Sequence, residues 1–191
     1  AFHVTMEIPA VKRDTLAVKM PAWTPGYYQI LHFADQVSNF NATNSEGKAL
    51  VVVKAGRNGW KVAAQKSGTV RITYDISAKR TFVATPFVTE DRAYISPPGV
   101  FLHVAGEIKR AAVVNVDLPS GWRTATGLEP VGGEGSKFTA TDFDVLYDSP
   151  LLMGVLEELP SFEVRGIRHR FIGYKLGEFD QQGFMDGLKK V

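Results

Sequence analysis

Apolar and polar residues alternate from the start of the chain: Phe2, Val4, Met6 and Ile8 are apolar, and His3, Thr5 and Glu7 between them are polar. Successive side chains of an extended strand point to opposite faces, so this period of two predicts a half-buried β-strand. The period returns at Leu16, Val18 and Met20, at Val70, Ile72, Tyr74 and Ile76, and at Val114, Val116 and Leu118. The continuous apolar runs 50–53 and 100–104 are rich in β-branched and aromatic residues and predict more deeply buried strands. Turn signals separate these segments at 45–47, 57–59, 97–99, 119–121 and 132–135.

About ten short strands joined by such turns predict an all-β fold of antiparallel sheets, sandwich-like or saddle-shaped. Near the C-terminus the period changes. Phe184, Leu188 and Val191 fall at spacings of four and three with Met185 beside them, the signature of a short helix. Residues 1–175 are therefore expected to form one β domain. Residues 176–191 would start a linker helix towards a further domain, because no Gly or Pro stop signal follows Leu188.

Composition narrows the function classes. The chain has 191 residues, a net charge of +2 and no cysteine. Its Lys and Arg residues are scattered and form no basic stripe, which argues against nucleic-acid binding. Without cysteine there is no disulfide and no thiolate metal site, a pattern that suits cytoplasm and bacterial periplasm equally. No apolar run approaches the roughly 20 residues of a membrane-spanning helix.

The common catalytic signatures are missing. No HExxH motif is present, and His3, His32, His103 and His169 are isolated from one another in sequence. Asp148, Ser149 and His169 supply the residue types of a hydrolase triad, but the G-x-S-x-G elbow is absent. The local alternative is that Asp148 and Ser149 bond to the backbone in a turn closed by Pro150. Gly132, Gly133 and Gly135 precede a strand-like segment and read as a hairpin loop, not a phosphate loop.

The most distinctive segment is Pro21, Ala22, Trp23, Thr24, Pro25, Gly26, Tyr27, Tyr28. Pro25 fixes φ and Gly26 permits the positive φ of a type II turn, so the flanking aromatics are held in place. Two readings stay open. Trp23 and one Tyr fill the core while the other Tyr covers the turn, or the aromatics form a contact surface for a ligand or another domain.

This segment, Tyr28, Ile30 and Phe33 after it, the Trp60 and Val62 pair, the strand 70–76, the run Asp142 to Pro150, then Gly154, Phe162, Val164, Gly166 and His169 together resemble the N-terminal domain of the glycyl aminopeptidase family, the sixty-first family of metallopeptidases. Tyr27 departs from the pattern, where the family more often has a small residue. The resemblance implies a non-catalytic domain of a zinc aminopeptidase, with peptide as substrate and small N-terminal residues preferred. Zinc would be held by an HExxH pair and a later Glu in a catalytic domain of the same polypeptide, so this chain itself would carry no cofactor and no catalytic residue. It would pack against that domain and shape the substrate cleft, with Trp23, Pro25, Gly26, Tyr27, Tyr28, Asp148 and Ser149 as candidates for the cleft or the domain interface. The alternative is a free-standing β-sandwich module that binds carbohydrate or protein on Trp23, Tyr27 and Tyr28.

Overall fold

The computed structural model describes residues 1–79, 81–133 and 135–190. All strand pairings in them are antiparallel, as expected for an all-β fold, and no sheet closes into a barrel. The alternating N-terminal segment forms strand Phe2–Val11. It pairs with Gly68–Ile76, which is central to a three-stranded sheet completed by Val37–Asn44.

Register explains why alternation succeeds here. Val4 faces Tyr74 and Met6 faces Ile72 on the inner side, where Val70, Ile72, Tyr74 and Ile76 are buried. On the outer side Arg71 donates to Glu7 at 2.6 Å and His3 Nδ1 lies 2.6 Å from Asp75. A hydrogen bond from Asn39, then His3, holds the Asp75 carboxyl below the usual carboxylate range. A one-residue slip would break these pairs and turn the apolar face to water.

The strand Phe2–Val11 bends where its register shifts between Ile8 and Val11, and Ala10 there has φ 58°. A Cβ in this left-handed region costs about 1–2 kcal/mol, and a glycine loses part of that gain through its freer unfolded chain. Ala10→Gly is therefore expected to raise stability by about 0.5–1 kcal/mol, read as a higher urea midpoint at constant slope. A lower midpoint would mean that the Ala10 methyl is held by contacts that outweigh the strain.

A second sheet runs in the order Val52–Lys54, Gly59–Ala63, Thr15–Lys19, His103–Val104. Leu16, Val18, Val62 and Val104 of this sheet are buried. The run 50–53 is not the deeply buried strand that its composition suggested, for Val51 is 69% and Val53 58% exposed. It lies at the sheet edge, where only alternate positions, Leu50 and Val52, turn inward. The run 100–104 also alternates, with Val100, Leu102 and Val104 buried and Phe101 and His103 half-buried. An aromatic ladder joins the two sheets: Trp60 stacks on Phe40 with centroids 4.8 Å apart, and Phe40 stacks on Tyr74 at 5.9 Å. The Lys54 ammonium caps it 3.5 Å above the Trp60 ring.

The third sheet is Arg123–Thr126, Leu151–Gly154, Arg92–Ile95, Phe87–Val88, and the fourth is Ala112–Asn115, Lys137–Ala140, Glu129–Pro130. These four sheets feed one core, from Ile72 and Val62 to Ile95, Leu151, Val114 and Phe138, and two further two-stranded pairings, Glu157–Glu158 with Ile172–Gly173 and Phe162–Val164 with Ile167–His169, follow in the chain. The expected C-terminal helix is present at Gln181–Leu188, capped by Asp180, which accepts from the Gly183 N–H at 2.9 Å. It buries Met185, while Phe184 and Leu188 are half-buried. Val191 lies outside the described residues, as does Glu134 in the loop 132–135.

Candidate functional site

The segment 21–28 leaves the end of strand Thr15–Lys19 as a rigid loop. The Tyr27 N–H donates to the Thr24 carbonyl at 3.2 Å and Gly26 has φ 78°, the type II turn that a Pro-Gly pair favours. The loop closes on itself where the Leu31 N–H donates to the Ala22 carbonyl at 2.7 Å. Thr24 is buried, and it accepts a hydrogen bond from the equally buried Ser96 at 3.3 Å. Ser96 opens the buried one-turn helix Pro97–Gly99.

The core-filling reading of the aromatics is not what this loop does. Trp23 is 51% exposed and Tyr28 95%. Met20 and Phe33, on either side of the loop, are buried in the core instead. Tyr27 is half-buried, its ring edge-on to Phe82 at 5.3 Å and its hydroxyl 3.2 Å from Gln29.

The second distinctive run, 142–150, holds a helix that no periodicity announced, Phe143–Tyr147. Its N-cap is Asp142, whose carboxylate accepts from the Val145 N–H at 2.9 Å. That hydrogen bond, with Lys109 at 3.2 Å, keeps the Asp142 carboxyl below its ordinary range. At the far end the Ser149 hydroxyl donates to the Val145 carbonyl at 2.7 Å, the local backbone bond expected of it. His169 stacks on Phe162 in a separate hairpin, so Asp148, Ser149 and His169 do not assemble as a triad.

The fold brings the two runs together. Thr24, Pro25, Gly26 and Tyr27 from the first and Tyr147, Asp148 and Pro150 from the second line one cleft of about 240 Å³. Val83, Ala84, Tyr94, Ser96 and Pro97 complete its walls. A second cleft of about 380 Å³ shares Pro25 and Tyr147 and is otherwise lined by Pro21, Trp23, Pro98, His103, Ile108 and Asp144. Of the sequence-derived candidates, Trp23, Pro25, Gly26, Tyr27 and Asp148 thus line a cleft, Tyr28 points to solvent, and Ser149 bonds back to the preceding helix. The walls at Val83, Ala84, Tyr94 and Ser96 carried no local signal; Pro97 was visible only as part of a turn.

Tyr147 is the partition between the clefts. Its hydroxyl donates to the Phe101 carbonyl at 3.2 Å and lies 2.8 Å from His103 Nδ1. A phenol has one proton, so with that proton on Phe101 the imidazole donates from Nδ1 and keeps Nε2 as an acceptor. Burial, with Lys19 nearby, holds His103 below the usual imidazole range and so favours this neutral ring. Burial also raises the Tyr147 and Tyr94 phenols. Neutral phenols, a neutral imidazole and the exposed Asp148 side chain can bind and orient a ligand.

Among the described residues no three His, Cys, Asp or Glu side chains gather as a metal ion requires, so the residues present do not fit a zinc site. No described helix is long and apolar enough to cross a membrane. Residues 1–155 match the profile of the peptidase M61 N-terminal domain. The structure is similar to the crystal structure of an aminopeptidase N family protein from Idiomarina loihiensis, with a TM-score of 0.90 and 23% identity over 98% of this chain. The chain spans 32% of that protein, about a third of its length, and at this identity the likeness shows the fold. No curated protein gives a significant match.

Proposed function

The chain belongs to the peptidase M61 family, as its N-terminal domain, and from this premise we propose that it is the non-catalytic part of a zinc-dependent aminopeptidase that prefers small N-terminal residues. It packs against the catalytic domain of the same polypeptide and walls one side of the substrate cleft. The observation that supports this reading is the convergence of 24–27 and 147–150 on one cleft whose surroundings include the exposed Trp23, Tyr28 and Val83. Zinc and its chemistry belong to the catalytic domain, and no step runs through residues of this chain. What this chain contributes is shape and dryness. A wall that excludes water lowers the local dielectric, which sharpens discrimination of a peptide's charged free amine from an internal amide.

In the full-length protein, Tyr27→Ala and Asp148→Ala are each expected to lower kcat/KM for a glycyl or alanyl anilide roughly tenfold, with the melting temperature unchanged for Asp148→Ala and lowered by no more than about 4 °C for Tyr27→Ala, which loses its edge-on contact with Phe82. Unaltered kcat, KM and stability in both variants would sink the proposal. The exposed Trp23 and Tyr28 also favour a second reading, a free-standing module that binds glycan or protein through ring stacking. Saturable glycan binding by the 191-residue chain, with no peptidase activity in the natural protein, would support that reading over the first.

A further inference from the structure

The hairpin of Phe162–Val164 and Ile167–His169 is the outer end of a two-stranded ribbon that begins where Glu157–Glu158 pairs with Ile172–Gly173 and continues through the Leu159 N–H, which donates to the Phe171 carbonyl at 3.0 Å. Its two-residue turn is Arg165 at φ 51° and Gly166 at φ 77°, and its strands pair only with each other. Cross-strand partners share a face, and Phe162 pairs with His169, Glu163 with Arg168 and Val164 with Ile167. One face is therefore Phe162, His169, Val164 and Ile167, and the other is Glu163 and Arg168. The charged face suits water, and Arg168 donates from it to Ser161 at 3.1 Å. The apolar face also meets water, with Ile167 65% and Val164 36% exposed. A two-stranded ribbon is marginal by itself and needs a further strand or a packed element on its apolar face.

Two findings bear on its occupant. The match to the N-terminal domain profile stops at residue 155, before the hairpin begins. The similar solved chain includes nearly all of this one, at a TM-score of 0.90, inside a protein of which this chain makes up 32%. We propose that the hairpin is a docking ribbon whose face of Phe162, Val164, Ile167 and His169 is covered by the domain that follows in the full-length polypeptide, with Glu163 and Arg168 left in solvent. This rests on the reading of the chain as part of a larger peptidase, and it adds a second point of attachment, since no residue of the hairpin lines either cleft.

Trypsin tests it, because Arg165 and Arg168 are exposed on the hairpin and Arg170, paired with Glu158, is exposed directly after it. In the 191-residue chain cleavage at these arginines is expected to be fast. In the full-length protein it is expected to be at least tenfold slower, and Ile167→Asp is expected to restore it there. The same substitution should leave the melting temperature of the 191-residue chain unchanged, since Ile167 already faces water. Equal cleavage rates in the two proteins, or a natural gene product with nothing after this chain, would overturn the inference. Protection that grows with the concentration of the 191-residue chain would overturn it too, by assigning the face to a second copy. Aminopeptidase activity with a cleavable hairpin refutes the docking ribbon alone, whereas a protected hairpin in an inactive protein supports the ribbon and refutes the proposed activity.

Discussion

Replacing Gly99 with alanine is expected to destabilise the chain by about 3 kcal/mol, among the largest effects of any single methyl group added to it. The cause is space, because a Cβ at Gly99 would lie 2.7 Å from Pro86 Cδ and 2.9 Å from Phe33 Cδ1. Neither neighbour can yield cheaply, since Phe33 is buried in the core and Pro86 is a buried ring fixed to its backbone. Phe33 follows the 22–31 loop and Pro86 follows Val83 and Ala84, so the added methyl also pushes apart two walls of the first cleft. Urea denaturation monitored by circular dichroism measures the loss. The control is Gly127→Ala, where a Cβ meets nothing within 4 Å. Equal midpoints for the two variants would show that the Pro97–Gly99 turn moves freely, contrary to its complete burial.

Tyr74→Phe is the second substitution with a large expected effect, about 1–3 kcal/mol. The Tyr74 hydroxyl is fully inside the core, donating to the Val100 carbonyl at 2.8 Å and accepting from the Leu102 N–H at 3.3 Å. Burial pushes this phenol well above its ordinary range, so it stays a donor at any pH the fold tolerates. Phenylalanine preserves the ring and its stack on Phe40 but strands a carbonyl and an amide away from water. The loss is felt at the site as well, because the segment it pins presents Phe101 and His103 to Tyr147. Tyr28→Phe, at a fully solvated position, is the matched control and should leave the midpoint unchanged. A Tyr74→Phe variant as stable as the wild type would mean that water enters to satisfy both groups.

How much of this was legible in the amino-acid order depends on the range of the interaction. Strands whose one face is buried, such as Phe2–Val11 and Gly68–Ile76, declared themselves by alternation, since a period of two is a local record of a two-sided environment. The run 50–53 failed the same logic because hydrophobicity does not say whether a strand is central or at an edge. Helix Phe143–Tyr147 is too short for a 3.6-residue period to show, and its one available signal was Asp142 as a cap. The turn at Pro25 and Gly26 was readable in backbone terms, but the exposure of Trp23 was not, because what occupies the core beside it is decided by Met20 and Phe33. The partnership of Tyr147 with His103 and the cleft walls at Val83, Ala84 and Tyr94 depend on chain crossings that leave no local trace.

The separation in sequence of the cleft's walls also sets when it can exist. Thr24 and Ser96 are 72 residues apart, and Asp148 and Pro150 lie beyond all the strands of the fourth sheet in the chain. Closing loops of that length must precede any contact that rewards them, so such pairings are slow and come late. During synthesis the ribosome therefore releases the Pro-Gly turn long before there is anything opposite it. On the packing proposed above, a neighbouring domain that recognised both walls at once would in effect read whether folding has finished, and would associate only with a completed domain.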